Sequence, residues 1–195
     1  NAKFIVELRG KGCIYAAHVT NPVNGTAAEL VSLWRKPFEN TLAGQLAGGY
    51  DAIAIDELRA NPDGSVQANR VCQALADLRK MYPKKQIYAA ATWQLGREAS
   101  KYSQQLRAVY RHVDMLMLEV YLRETRRAYG YFAAWADQLK AVEPGLLKKT
   151  VYGLGVAQRG YLYDDSTDVG FFGHVDQQFR SIRTDADASK MPGIM

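Results

Sequence analysis

Short apolar runs rich in strand formers alternate along this chain with longer stretches in which apolar residues recur every three or four positions. The runs fall at residues 13–19 (CIYAAHV), 50–57 (YDAIAIDE), 86–93, 114–121 (DMLMLEVY) and 150–156, and the closing PGIM reads as the opening of a sixth strand. Between them the period is helical. Phe4, Ile5 and Leu8 lie on one face of residues 2–10, a stretch that ends at Gly10 and Gly12. Leu30, Leu33, Trp34, Phe38, Leu42 and Leu46 predict a helix kinked at Pro37 and stopped by Gly48 and Gly49. Ser65, after the turn series Asn61, Pro62, Asp63, Gly64, is a natural N-cap for a helix carrying Val71, Leu75 and Leu78 up to Pro83. Three further helices follow, on Tyr102, Leu106, Val109 and Tyr110, then Phe132, Trp135, Leu139 and Val142, then Phe172, Val175, Phe179 and Ile182.

A strand reaches a parallel neighbour only through a crossover, so this alternation predicts the α/β class with a parallel sheet. Strand starts at Cys13, Asp51, Gln86, Asp114, Thr150 and Pro192 recur about every 36 residues, and eight such units would need roughly 250 residues. About six units are present, opening on a helix and closing inside a strand. The expectation is a single domain over residues 1–195: a TIM-type (β/α)8 barrel cut short at both ends and lacking about two units at its start. An open doubly wound sheet is the alternative. No GxGxxG or GxxxxGK[ST] loop follows a strand, which argues against the nucleotide-binding versions of that fold.

No apolar stretch approaches the length of a membrane span, and no basic-then-apolar leader opens the chain. The 25 Lys and Arg against 20 Asp and Glu give +5 and a pI near 9.1, but the excess is scattered, so neither a nucleic acid nor a membrane is expected as a partner. Cys13 and Cys72 lack metal or redox spacing and read as core thiols. His18, His112 and His174 form no zinc pattern, and no metal or cofactor is expected.

In a barrel, chemistry sits at the carboxyl ends of the strands. Strict alternation along YDAIAIDE puts Ala52, Ala54 and Asp56 on one face, the small residues fitting a crowded interior, with Glu57 at the rim unless a bulge turns it inward. In DMLMLEVY, Met115, Met117, Glu119 and Tyr121 share a face, so a carboxylate lies within an apolar run, where it is costly unless used or paired; Arg123 or a neighbour across the sheet is the pairing candidate. Asp56 and Glu119 lie on alternate strands, which meet in one layer of a barrel. Two such carboxylates suit acid and base work on a glycosidic bond, Glu119 being the one expected to have the raised pKa. Trp93, Tyr121, Tyr129, Tyr131, Tyr161 and Tyr163, with Asp164, Asp165 and Asp168, suit the apolar faces and hydroxyls of sugar rings, although Tyr131 also fits the buried face of its helix. His18 and Asn21 at the end of the first strand are candidate hydroxyl partners, and Arg123, Arg126 and Arg127 read as a solvated loop.

With YDAIAIDE, MLMLEVY, VYGLGV and PGIM in this order, the chain resembles glycoside hydrolase barrels at their fourth, sixth, seventh and eighth strands, especially the chitinase-like group, family 18. Against the chitinase-like pattern DxxDxDxE, Asp51 and Asp56 match the first and third Asp, Ala54 stands at the second and Leu58 at the catalytic Glu. Acids at the ends of the fourth and sixth strands are similar to the α-galactosidase-like arrangement, which implies Asp56 as nucleophile and Glu119 as acid/base. The first reading is hydrolysis of a poly- or oligosaccharide, which would favour an extracellular or periplasmic protein. The second is a carbohydrate-binding barrel without catalysis. A third, a metal-dependent enzyme using Asp56, Glu57, Glu119 and His18, has more dispersed ligands.

Overall fold

The structure, a computed structural model, describes residue 7 and residues 9–39, 49–120, 130–154 and 171–194. Five strands form one sheet: β1 (Ala16–Val19), β2 (Ala52–Leu58), β3 (Gln86–Ala91), β4 (Met115–Val120) and β5 (Thr150–Leu154). Every neighbouring pair is parallel and the spatial order is the chain order. Right-handed crossovers between consecutive neighbours put every helix on the same face. A doubly wound sheet instead needs a reversal of strand order, so the alternative is excluded and the singly wound, barrel-type sheet stands. Ile194 adds a parallel bridge to Tyr152 where PGIM was expected to open a sixth strand.

Among the described residues the longer helices are α1 (Ala27–Glu39), α2 (Val66–Met81), α3 (Ser103–His112), α4 (Gly130–Val142) and α5 (Phe171–Thr184). Thr26 and Glu29 open α1 as a capping box: the Thr26 N–H donates to Glu29 Oε2 at 2.6 Å and the Glu29 N–H to Thr26 Oγ1 at 3.2 Å. Ser65 caps α2 through the Ala68 N–H at 3.1 Å, as its position in the sequence predicts. Pro37 is accommodated inside α1, whose expected continuation through Leu42 and Leu46 lies outside the described residues, as does most of the expected first helix.

Alternation sorts the sheet into two unlike faces. Ile53, Ile55, Leu58, Ile87, Ala89, Ala91, Leu116, Leu118 and Val120 join Leu30, Trp34, Leu75, Leu78, Leu106, Trp135 and Leu139 in a core between sheet and helices. The opposite face carries Ala54, Asp56, Tyr88, Met117 and Glu119, all partly exposed, with Met115 36% exposed.

Some expectations are corrected. The first strand begins at Ala16, leaving Cys13 exposed rather than in the core. Cys72 is half-buried with Sγ 3.8 Å from the Gln104 carbonyl, and burial pushes its thiol up to about 11. The third strand ends at Ala91, and Trp93 begins a helical turn, Gln94–Arg97, which the periodicity did not reveal. Tyr131 is exposed and stacks on Trp135 with ring centroids 6.0 Å apart, so it does not continue the buried face of α4.

At the amino ends of the strands one device recurs. Asp51 Oδ2 accepts the Tyr15 N–H at 3.1 Å and Arg9 Nε at 2.7 Å, while Asp114 Oδ2 accepts the Ile87 N–H at 2.8 Å and Arg79 Nη2 at 2.6 Å. Each carboxylate ties the start of its own strand to the one before, so Asp51, which matches the first Asp of the chitinase-like pattern, stands at the end of the sheet remote from the candidate site.

Near the carboxyl end of the chain, Lys140 and Lys190 donate to Asp187 at 2.6 and 2.7 Å, which holds its carboxyl down to about 2. A carboxyl depressed in the folded state stabilises the fold above its unfolded value of about 3.9 and loses that contribution as pH falls toward the folded one. Thermal melts from pH 5 to pH 2 are expected to show Asp187→Asn less stable than wild type at pH 5, with the difference closing toward pH 2.

Candidate active site

At the carboxyl end of β2 the pairing slips. Ile55 pairs with Ala89 and Leu58 with Ala91, which leaves one extra residue on β2, and Glu57 takes up the extra length at φ 49. This is a bulge at a strand end, of the kind that re-aims side chains. Leu58 is thereby returned to the helical core, fully buried, while Asp56 and Glu57 both line a depression of about 220 Å³ together with Thr20, Asn21, Pro22, Val23 and Arg59. Without the bulge, Asp56 and Glu57 would face opposite sides of the sheet.

The other wall comes from the loop after β1. His18 pairs in register with Ala54, two residues before Asp56, and its Nε2 lies 2.9 Å from Asp56 Oδ2. Asn21, buried, donates from Nδ2 to the Glu57 carbonyl at 3.3 Å, closing the bulge against this loop, while its Oδ1 has no partner. Two residues outside the site hold the loop in place. The Trp34 indole N–H donates to the Thr20 carbonyl at 3.0 Å, and Arg70, buried on α2, donates to the Pro22 and Gly25 carbonyls at 2.8 and 3.1 Å. On the far side of β2, Gln105 on α3, fully buried, holds the next loop through the Asn61 N–H at 3.1 Å and the Arg59 carbonyl at 2.8 Å.

Glu119 shares the open face with Asp56. The register runs Ala54 to Tyr88 to Met115 across β2, β3 and β4, so Asp56 is level with Met117 and Glu119 stands one layer higher, opposite Gly153 of β5. Gly153 keeps that layer open: a Cβ there would meet Met117 Sδ at 3.2 Å. Trp93, 41% exposed, lies two residues past β3 at the same end, with the Arg97 guanidinium 5.3 Å from its ring centroid. Tyr121, Tyr129, Tyr161, Tyr163, Asp164, Asp165, Asp168 and the arginines 123, 126 and 127 lie outside the described residues, as does the side chain of His174.

Asp56, Glu57, His18 and Asn21 are therefore together, while Glu119 and Trp93 lie further along the same end of the sheet. Arg59, 3.7 Å from Glu57, and Arg97 belong to this end and were not singled out in the sequence. Arg59 could have been: a cation two residues beyond paired acids at a strand end is a signal. Among the described residues no group of three or more His, Cys, Asp or Glu converges as a metal site, so Asp56, Glu57, His18 and Glu119 do not form a shared ligand cage.

No protein-family model matches the chain, and no curated protein matches it in sequence. Solved structures do. The catalytic domain of the hyperthermophilic chitinase from Pyrococcus furiosus aligns with 99% of this chain and 64% of its own, with a TM-score of 0.58 at 14% identity. Catalytic-site mutants of active domain 2 of the chitinase from that organism, one of them complexed with chito-oligosaccharides, align with TM-scores of 0.59 and 0.60 at 13% and 14% identity, over the same shares. The chain thus spans a little under two thirds of the chitinase domains it matches. With its sequential parallel sheet and single layer of helices, the chain has the barrel-type α/β fold of those chitinase domains.

Proposed function

We propose that the protein hydrolyses glycosidic bonds in a poly- or oligosaccharide, with Asp56 as nucleophile and Glu119 as acid/base. The observation that carries this reading is the placement of two carboxylates on the open face of β2 and β4, at the strand ends where barrel enzymes do their chemistry. In the first step an Asp56 oxygen attacks the anomeric carbon as the glycosidic bond breaks, and Glu119 gives its proton to the departing oxygen. In the second, Glu119 takes a proton from water, whose oxygen displaces Asp56 and frees the sugar. His18, with Nε2 2.9 Å from Asp56 Oδ2, holds the carboxylate in place. The apolar ring of Trp93 offers a stacking platform for a sugar face, and Asn21, Glu57 and Arg59 offer partners for hydroxyls.

A second reading, binding without hydrolysis, is favoured by one observation: Leu58, at the position of the chitinase-like catalytic Glu, is fully buried in the helical core. A reducing-sugar assay and a glycan array on the full-length protein, with chito-oligosaccharides among the substrates, separate the two. Release of reducing ends is expected. Binding without release leaves the second reading, and binding to no glycan on the array overturns both.

A further inference from the structure

Basic residues that lie far apart in the sequence meet at one end of this fold. In each βα unit the helix runs opposite to the strands, so the helix carboxyl ends collect at the amino ends of the strands, opposite the mouth. There Arg79 donates to the carbonyls of His112 and Lys85, Lys149 to those of Tyr110 and Val113, and Lys85 to that of Tyr50. These cations do the usual work of neutralising helix ends. An outer set does not. Lys36, Lys80, Lys84, Arg111 and Lys148 are exposed, and no hydrogen bond or ion pair holds them among the described residues. The carboxylates nearby are engaged: Glu39 by Tyr82 and Arg35, Asp51 by Arg9, Asp114 by Arg79, and Glu143 by the Gly145 N–H. His112, at the end of α3, has its pKa lowered by burial and then by Arg111, Arg79 and Lys149, in keeping with a positive surface.

We propose that this end of the barrel is an electrostatic docking surface for an acidic polysaccharide, held by Lys36, Lys80, Lys84, Arg111 and Lys148. The cations sit at the ends of successive units, and packed helices are about 8 to 10 Å apart. They therefore form a broad arc, which a flexible polymer with one charge every sugar or two can follow. The aromatics at this end are taken up in packing, Tyr15 on Tyr50, Phe38 against Tyr82 and Tyr110 under the Lys149 ammonium, rather than spaced between the five cations as a stacking track for the bases of a single-stranded nucleic acid. The choice of a polysaccharide among polyanions rests on the carbohydrate reading of the mouth; the docking surface itself rests on the charges.

The test is titration of the full-length protein with polygalacturonate at 50 and 200 mM salt. Each cation that displaces a counterion contributes a factor of about 3 between these salts, so five predict a loss of affinity of about two hundredfold. The triple variant Lys80→Ala, Lys84→Ala, Lys148→Ala is expected to reduce that loss to under about tenfold, and Asp56→Asn to leave it unchanged. A triple variant with the full wild-type salt dependence overturns the proposal. So does an equal change in Asp56→Asn, which would put the polymer at the mouth, and so does tighter binding to duplex DNA or to phosphatidylglycerol vesicles than to polygalacturonate. Binding of uncharged chito-oligosaccharide, measured on the same samples, reports on the mouth alone and is expected to be the same in wild type and triple variant; failure of that binding with the salt-dependent step intact counts against the mouth reading and leaves the docking surface supported.

Discussion

Asp56→Asn and Glu119→Gln in the full-length protein are each expected to lower glycan turnover by about 10²- to 10⁴-fold, the range a positioned acid, base or nucleophile commands. Both substitutions keep shape and remove function, since an amide can neither attack the anomeric carbon as a carboxylate does nor transfer the proton. Glycan affinity should stay within a few-fold of wild type, because the aromatic platform and hydroxyl partners are untouched. The stereochemistry of the released sugar, followed by NMR during turnover, adds a geometric test. A carboxyl separation of about 5 to 5.5 Å gives retention through a covalent intermediate, whereas about 6.5 to 9.5 Å leaves room for a water and gives inversion. The assignment of Asp56 as nucleophile requires retention. Wild-type turnover in both variants would remove these two residues from the mechanism.

Trp34→Ala is expected to be the most damaging single change to the fold, costing about 3 to 5 kcal/mol. Trp34 is fully buried among α1, β1 and β2, and its indole N–H holds the Thr20 carbonyl at 3.0 Å. Truncation leaves a large cavity in the core and an unpaired carbonyl at the head of the loop that carries Asn21. In a domain of this size the cost corresponds to a fall in Tm of roughly 6 to 20 °C. Trp34→Phe separates the two contributions: it keeps most of the ring volume and loses the hydrogen bond, so it should cost about 1 to 2 kcal/mol. Thermal melts with and without a bound glycan check both. If the loop matters to the mouth, Trp34→Phe weakens binding beyond what its small loss of stability explains, while a change as mild as Trp34→Phe in the alanine variant would mean the indole is not a core residue.

The class of the fold was legible because burial in a singly wound sheet leaves marks on single residues. The Ile53, Ile55 side of β2 faces helices and is large and apolar, while Ala52 and Ala54 face the opposite side and are small. Alternation of strands with helical periods then required parallel pairing, and Ser65 announced the start of α2. Strand limits were less legible at Cys13 and Trp93, because apolar character continues past the last residue that pairs.

Sequence by itself determined, then, which residues form strands and helices, that the strands run parallel, and that acids stand at the ends of the second and fourth. Tertiary structure decided where those acids point and what else meets there. The bulge at Glu57 adds one residue between the pairs Ile55–Ala89 and Leu58–Ala91, turning neighbours of opposite parity toward one depression, and nothing in the string YDAIAIDE marks it, because a bulge is a relation between two strands. Contacts such as His18 with Asp56, or Arg70 with Pro22 and Gly25, join residues remote in sequence whose distance only the sheet register and helix packing fix. Likewise the +5 charge is scattered along the chain, and it becomes a surface only because every helix returns its basic carboxyl end to the same side of the fold.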